Sequence, residues 1–235
     1  MKLTNMKQSI RLSVAAICLA LTVPMSASAS EGHGHALKDA NIQMDHDTLR
    51  KGLEVFTNVC MGCHSAKYLR YGSLMAYPEL GLTREEVDEL RGEHSLMDGM
   101  VSELTPADAI ESYGKVPPDL SLITRARRGA GNYVFSILTG YEEDPNGKIP
   151  EGNYNIYYPG NRIAMPDPLA WMGHSEDETA EIEGQAHAVA SFLTFVGDPH
   201  QFERERIGVW VLGFLFLLAF VLWMLKREIW KDVKH

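Results

Sequence analysis

Apolar residues recur with helical spacing at two points in the chain. Leu49, Leu53, Phe56 and Val59 lie four and three residues apart, which predicts an amphipathic helix over residues 45–59. Ile182, Ala186, Val189, Phe192 and Leu193 predict a longer helix over residues 178–196. Start and stop signals place shorter helices between them. Thr83-Arg84-Glu85-Glu86 reads as a capping box, opening a short acidic helix that Gly92 ends. Thr105-Pro106-Ala107-Asp108 opens another, with proline at the first helical position. Asn132 is placed as the cap of a short apolar helix reaching Thr139. From there to Trp171 the pattern is irregular, broken by Pro145, Gly147, Pro150, Gly152, Pro159, Gly160, Pro166 and Pro168. Strand signals are weak and no repeat is visible. The expected class is mainly α with long loops.

Both ends of the chain carry apolar runs of another kind. Residues 12–23 are apolar, preceded by Lys2, Lys7 and Arg11 and followed by Ala27-Ser28-Ala29. This is the pattern of a secretory signal peptide, residues 1–29, cleaved after Ala29. Residues 207–225 hold 19 positions without a charge. At about 1.5 Å per residue they span about 28 Å as a helix, close to the hydrocarbon thickness of a bilayer. Trp210 and Trp223 fall near the two ends, and Lys226, Arg227, Lys231 and Lys234 follow. The expectation is a single transmembrane helix with residues 226–235 as a cytoplasmic tail. Residues 30–206 are then an exported domain, on the periplasmic side of a bacterial inner membrane.

Composition sharpens this picture. The whole chain of 235 residues has a formal charge of −9, which argues against nucleic-acid binding. Residues 30–206 alone hold 15 Lys and Arg against 29 Asp and Glu, a charge of −14. Such a surface suits either solubility or a basic partner. Candidate docking clusters are Glu85, Glu86, Asp88 and Glu89, and Glu176, Asp177, Glu178, Glu181 and Glu183. Of three cysteines, Cys18 leaves with the signal. The two that remain, Cys60 and Cys63, are too close in sequence to form a long-range disulfide.

Those two cysteines belong to Cys60-Met61-Gly62-Cys63-His64, the C-x-x-C-H attachment signature of c-type haem. Two thiols one turn apart can add to the two vinyl groups, and the adjacent imidazole then becomes an axial ligand. A redox dithiol would want a βαβ setting, and a zinc site two further ligands at matching spacing. Long loops also suit a large apolar cofactor, which supplies a core they can wrap. Spacing leaves the sixth ligand open among His94, His174, His187, His200 and His235 and among Met75, Met97, Met100, Met165 and Met172. Met165 stands out because Pro166 and Pro168 stiffen its loop.

Several stretches together resemble the cytochrome c1 family, the haem c subunits of cytochrome bc1 complexes. They are the Cys60–His64 motif, Pro117-Pro118-Asp119-Leu120-Ser121, Arg125-Ala126-Arg127-Arg128-Gly129, Tyr133 to Tyr141, Tyr158-Pro159-Gly160 and Ile163-Ala164-Met165, in that order, with the C-terminal apolar helix after them. Residues 128–131 read Arg-Gly-Ala-Gly, where relatives often show His-Gly-Gly. The resemblance implies a class I cytochrome c-type domain with one covalent haem c. It implies His64 and Met165 as axial ligands, Arg127 beside a propionate, Tyr133 near the haem, and Pro117 and Pro118 along the pocket. It implies an electron-transfer subunit, not an enzyme by itself, of quinol–cytochrome c oxidoreductase. Electrons would come from the Rieske iron–sulfur protein and go to a cytochrome c, with cytochrome b as a further partner in a dimeric complex. The competing class is another membrane-anchored c-type haem protein, a peroxidase or a haem sensor, which would keep its sixth position open.

Overall fold

The computed structural model describes residues 35–145, 147, 152–173 and 175–232. The expected signal peptide lies outside them. The chain is mainly α, as its periodicity predicts. Helix α1 (His46–Val55) starts at Asp45, whose carboxylate accepts from the Thr48 amide at 3.0 Å. That bond holds the Asp45 carboxyl below its ordinary range. The expected helix to residue 59 is present, but its last turn, Phe56–Cys60, widens into a π-turn. A π-turn rotates the side chains that follow it, and here it sets the direction of Cys60.

Helix α2 (Arg84–Arg91) carries the expected capping box between Thr83 and Glu86, and Gly92 ends it at φ +54. Helix α3 (Pro106–Tyr113) is capped by Thr105 and stops at Gly114 in the left-handed region. Helix α4 is a single turn, Ile123–Ala126. Helix α5 (Gly131–Leu138) starts one residue before the expected cap. The chain enters it through positive φ at Gly129 and Ala130. Asn132 does not cap α5. Its side-chain oxygen accepts from the Ala40 amide at 3.1 Å, joining α5 to the extended segment 35–44. The early start follows from packing: a Cβ on Gly131 would lie 2.5 Å from both Ile42 Cδ1 and Thr194 Oγ1.

Helix α6 (Glu176–Gly197) begins two residues earlier than its periodicity suggests, because Ser175 and Glu178 form a capping box. All five apolar residues read from its pattern are buried. It crosses α1 at Gly52, where a Cβ would lie 2.2 Å from the Ala188 carbonyl oxygen. Only hydrogen fits there, and the Phe56 and Phe192 rings then meet at 5.8 Å. This crossing forms the main core, with Leu49, Leu53, Val189 and Phe195.

Strands are short. Ala66–Arg70 (β1) pairs antiparallel with Gly99–Met100 (β2), and Asn153–Tyr154 (β3) with Arg162–Ile163 (β4). The second pair brings the long loop back over α5. There it forms a smaller core of Tyr133, Ile137, Tyr141, Tyr157 and Ile163. Helix α7 (Gln201–Ile229) extends beyond the apolar stretch at both ends, and its apolar side chains lie exposed on every face. It is long and apolar enough to cross a membrane.

Candidate haem site

The Cys-x-x-Cys-His segment is fixed by its backbone. The Met61 amide donates to the Phe56 carbonyl at 2.8 Å, closing the π-turn. The Cys63 and His64 amides both donate to the Cys60 carbonyl, at 3.1 and 2.8 Å. The segment that follows β2 holds the tip: Ser102 Oγ donates to the Gly62 carbonyl at 3.0 Å, and the Ser102 amide to Ser65 Oγ at 3.0 Å. Burial pushes the Cys60 thiol up to about 12, with the nearby Cys63 adding to the effect.

His64 points one ring nitrogen at the Pro118 carbonyl oxygen, 2.7 Å away. A carbonyl only accepts, so Nδ1 carries the proton and Nε2 keeps its lone pair. Burial lowers the His64 pKa, opposed by the Pro118 bond and the Asp119 charge. Burial thus favours the neutral ring. Asp119 in turn fixes the proline loop, accepting from the Lys67 amide at 3.1 Å and the Ser121 amide at 2.9 Å.

A cavity with about 1260 Å³ of empty space, partly open to solvent, lies beside this imidazole. Met165 stands on its wall, on the smaller core. Its carbonyl accepts from Tyr141 Oη at 3.2 Å and Asn153 Nδ2 at 3.1 Å. Tyr141 is buried, which raises its pKa and keeps the hydroxyl a donor. All eight residues singled out from the sequence line this cavity: Cys60, Cys63, His64, Pro117, Pro118, Arg127, Tyr133 and Met165.

The rival axial ligands lie elsewhere. Met97 and Met172 are exposed, Met100 is buried in β2, and Met75 packs on the main core. His187 meets the Asn41 carbonyl at 3.1 Å, His94 stacks on Tyr71, and His200 packs edge-on against Tyr77. His174 and His235 lie outside the described residues. Of the neighbouring arginines, Arg127 lines the cavity while Arg125 pairs with Asp198.

The sequence reading missed other parts of the wall. Tyr113, at the end of α3, lines the cavity, and the neighbouring Cys63 raises its pKa. Val134 and Ile137 of α5 and Val189 and Leu193 of α6 supply apolar lining. Helical periodicity marks these as core residues but does not say which of them face a cofactor.

The donor set fits a c-type haem. It offers two thiols one turn apart, a neutral imidazole with a free lone pair, a soft thioether, and a guanidinium on a largely apolar wall. Among the described residues no three His, Cys, Asp or Glu side chains cluster as a metal site of their own.

The architecture is thus that of a mainly helical domain with a site suited to a c-type haem. Comparison with known proteins is specific. The Cytochrome C1 family matches over residues 36–105 and 97–233. The cytochrome c1 of Allochromatium vinosum is 32% identical, with 91% of this chain and 96% of that protein covered. The cytochrome c1 of Rhodospirillum rubrum is 31% identical over 96% and 98%. The mitochondrial cytochrome c1 haem protein of Saccharomyces cerevisiae is 34% identical over 81% and 68%. In fold, a chain of a hyperthermophilic respiratory complex III aligns with a TM-score of 0.52 at 19% identity, covering 97% of this chain and 99% of that one. The chain belongs to the cytochrome c1 family.

Proposed function

We propose that this chain is the haem c subunit of a respiratory cytochrome bc1 complex. It takes electrons from the Rieske iron–sulfur protein and passes them to a cytochrome c, beside cytochrome b in a dimeric assembly. The single observation carrying this reading is the convergence of Cys60, Cys63, His64 and Met165 on one apolar cavity. A bound haem supplies a one-electron Fe(III)/Fe(II) couple there. The protein sets that couple. Cys60 and Cys63 would hold the group by thioether bonds, one group per chain. His64 presents Nε2 because the Pro118 carbonyl holds Nδ1–H. Met165 presents a soft sulfur, which favours Fe(II) and raises the potential. Arg127 binds a propionate through charged hydrogen bonds. Tyr133, Pro117 and Pro118, which line the cavity, would pack against the ring and exclude water. With His64 and Met165 each offering the iron a ligand, the site would suit a carrier and not a peroxidase or sensor.

Residues 1–29 are assigned as a cleaved export signal. Residues 30–206 are assigned to the periplasm of a bacterial inner membrane, 207–225 to the bilayer, and 226–235 to the cytoplasm. The basic residues that follow the apolar stretch support this orientation. The test is to express the full chain with haem-attachment machinery, extract it with acid–acetone, and record reduced spectra with and without carbon monoxide. Colour should stay with the protein and the spectrum should not respond to carbon monoxide. Extractable haem, or a carbon-monoxide-reactive spectrum, overturns the reading.

A further inference from the structure

One carboxylate joins three helices. Asp198 caps the C-terminal end of α6, and its side chain is only 9% exposed. It pairs with Arg125 of α4 and with Arg204 in the first turn of α7. Arg204 offers both terminal nitrogens, one to each carboxylate oxygen, in the fork geometry that guanidinium and carboxylate share. The Asp198 carbonyl also accepts from the Gln201 amide at 3.2 Å, at the start of α7.

Helix α4 is seated on the same spot by contacts of other kinds. Thr124 Oγ1 donates to the Leu193 carbonyl at 3.1 Å in a buried bond. A Cβ on Gly197 would come within 2.6 Å of Thr124 Oγ1. The residues on either side, Ile123 and Arg127, line the cavity, as does Leu193. Arg125 lies two positions from Arg127 but does not line it. A four-residue helix has little stability of its own, so tertiary contacts decide where these two arginines point.

Resting on the haem reading above, we propose that Asp198 is a positioning residue: it holds Arg125 away from the haem cavity, so that Arg127 and not Arg125 stands on the cavity wall, and it fastens this arrangement to the first turn of α7. The functional consequence is electrostatic. A second guanidinium at the cavity would add positive charge beside the iron, disfavour Fe(III) and raise the midpoint potential. In this arrangement the midpoint depends on a side chain that never touches the haem.

A mutant cycle on the full, haem-loaded chain tests this, with midpoint potential and melting temperature read together. Asp198→Asn should raise the midpoint, because Arg125 is released towards the cavity. Asp198→Ser, which makes the same charge change with a smaller side chain, should do the same in an independent background. Arg125→Gln alone should leave the midpoint at the parent value, since that guanidinium is already held away. Asp198→Asn with Arg125→Gln should return it to the parent value. Arg204→Gln should also leave it there, because the Arg125–Asp198 pair survives.

Two results overturn the proposal. One is equal and opposite shifts from Asp198→Asn and Arg125→Gln, which mean simple additive fields. The other is a lowered melting temperature in the Asp198 variants with an unmoved midpoint, which means a structural role only. A parent chain without attached haem instead overturns the functional reading, before any variant is measured.

Discussion

The Nδ1 atom of His64 lies 2.7 Å from the carbonyl oxygen of Pro118, joining positions 54 residues apart. This bond links the haem-attachment motif to the proline loop. It fixes which nitrogen of the imidazole is free, and it fixes the ring plane. The loop is held in turn by Asp119, and the Leu120 amide donates to the Ser65 carbonyl at 2.7 Å, one residue past the histidine. A ligand oriented by such a partner resists rotation, and an accepted hydrogen bond makes the opposite nitrogen a better donor to metal.

Pro118→Gly should therefore loosen the orientation of His64 without removing it. The added backbone freedom lets the carbonyl wander. Haem should stay attached, while the midpoint potential rises, because a poorer nitrogen donor stabilises Fe(III) less, and the low-spin signal broadens in electron paramagnetic resonance. An unchanged signal and potential would show that the ring is oriented by packing alone.

Met165→Leu should open one axial position and give a carbon-monoxide-reactive haem with the cysteine links intact. Met165→His should restore a low-spin spectrum at a lower potential, because a nitrogen donor lacks the preference of sulfur for Fe(II). Reduction by quinol in the assembled complex should then fail. A normal potential in Met165→Leu would move the ligand to another methionine.

Arg127→Ala should lower both haem retention on heating and the midpoint potential. A propionate against an apolar wall needs a charged donor, and hydrogen bonds to charged groups are worth about 1.5–3 kcal/mol. Arg127→Lys should restore part of this, since an ammonium cannot bind in two-pronged fashion. Unchanged melting and potential in Arg127→Ala would assign the propionate to another residue.

Gly52→Ala tests the crossing that positions the attachment motif. The added methyl would meet the Ala188 carbonyl and the Phe192 side chain. Overpacking of this kind costs about 1–3 kcal/mol, and α1 must shift away from α6. Thermal melting should fall, and the yield of covalent haem with it, because Cys60 is delivered by the same helix. Unaltered melting would mean that the crossing absorbs the methyl.

Glu86 gives a pH-dependent contact. The Arg50 guanidinium, with the Thr83 amide, pulls its carboxyl down to about 2. Its contribution is complete above the unfolded value of 4.5 and is lost as pH falls towards 2. The melting temperatures of the parent and Glu86→Gln should differ at neutral pH and converge near pH 2. The same pairing bears on partner docking. Glu86 meets Arg50, and Asp88 meets Arg84 and Arg91, so two of the four carboxylates in this cluster are paired within the fold.

The sequence by itself determined a good deal here. The spacing Cys60-Met61-Gly62-Cys63-His64 names its chemistry because two thiols and an imidazole on one turn suit one prosthetic group. Periodicity found α1 and α6, and capping residues found α2 and α3, because these signals act within a few residues. Met165 stood out for its prolines and for the family stretch around it. Only the tertiary structure decided the rest. It showed that Asn132 holds the Ala40 amide instead of capping α5, a choice set by how close Gly131 must come to Ile42 and Thr194. It brought the Pro118 carbonyl to His64, Tyr141 and Asn153 to the Met165 carbonyl, and Asp198 to Arg125. Each of these pairs joins residues from separate elements of the chain. No local pattern encodes such a pairing, because it exists only once helix crossing and loop return have placed both partners.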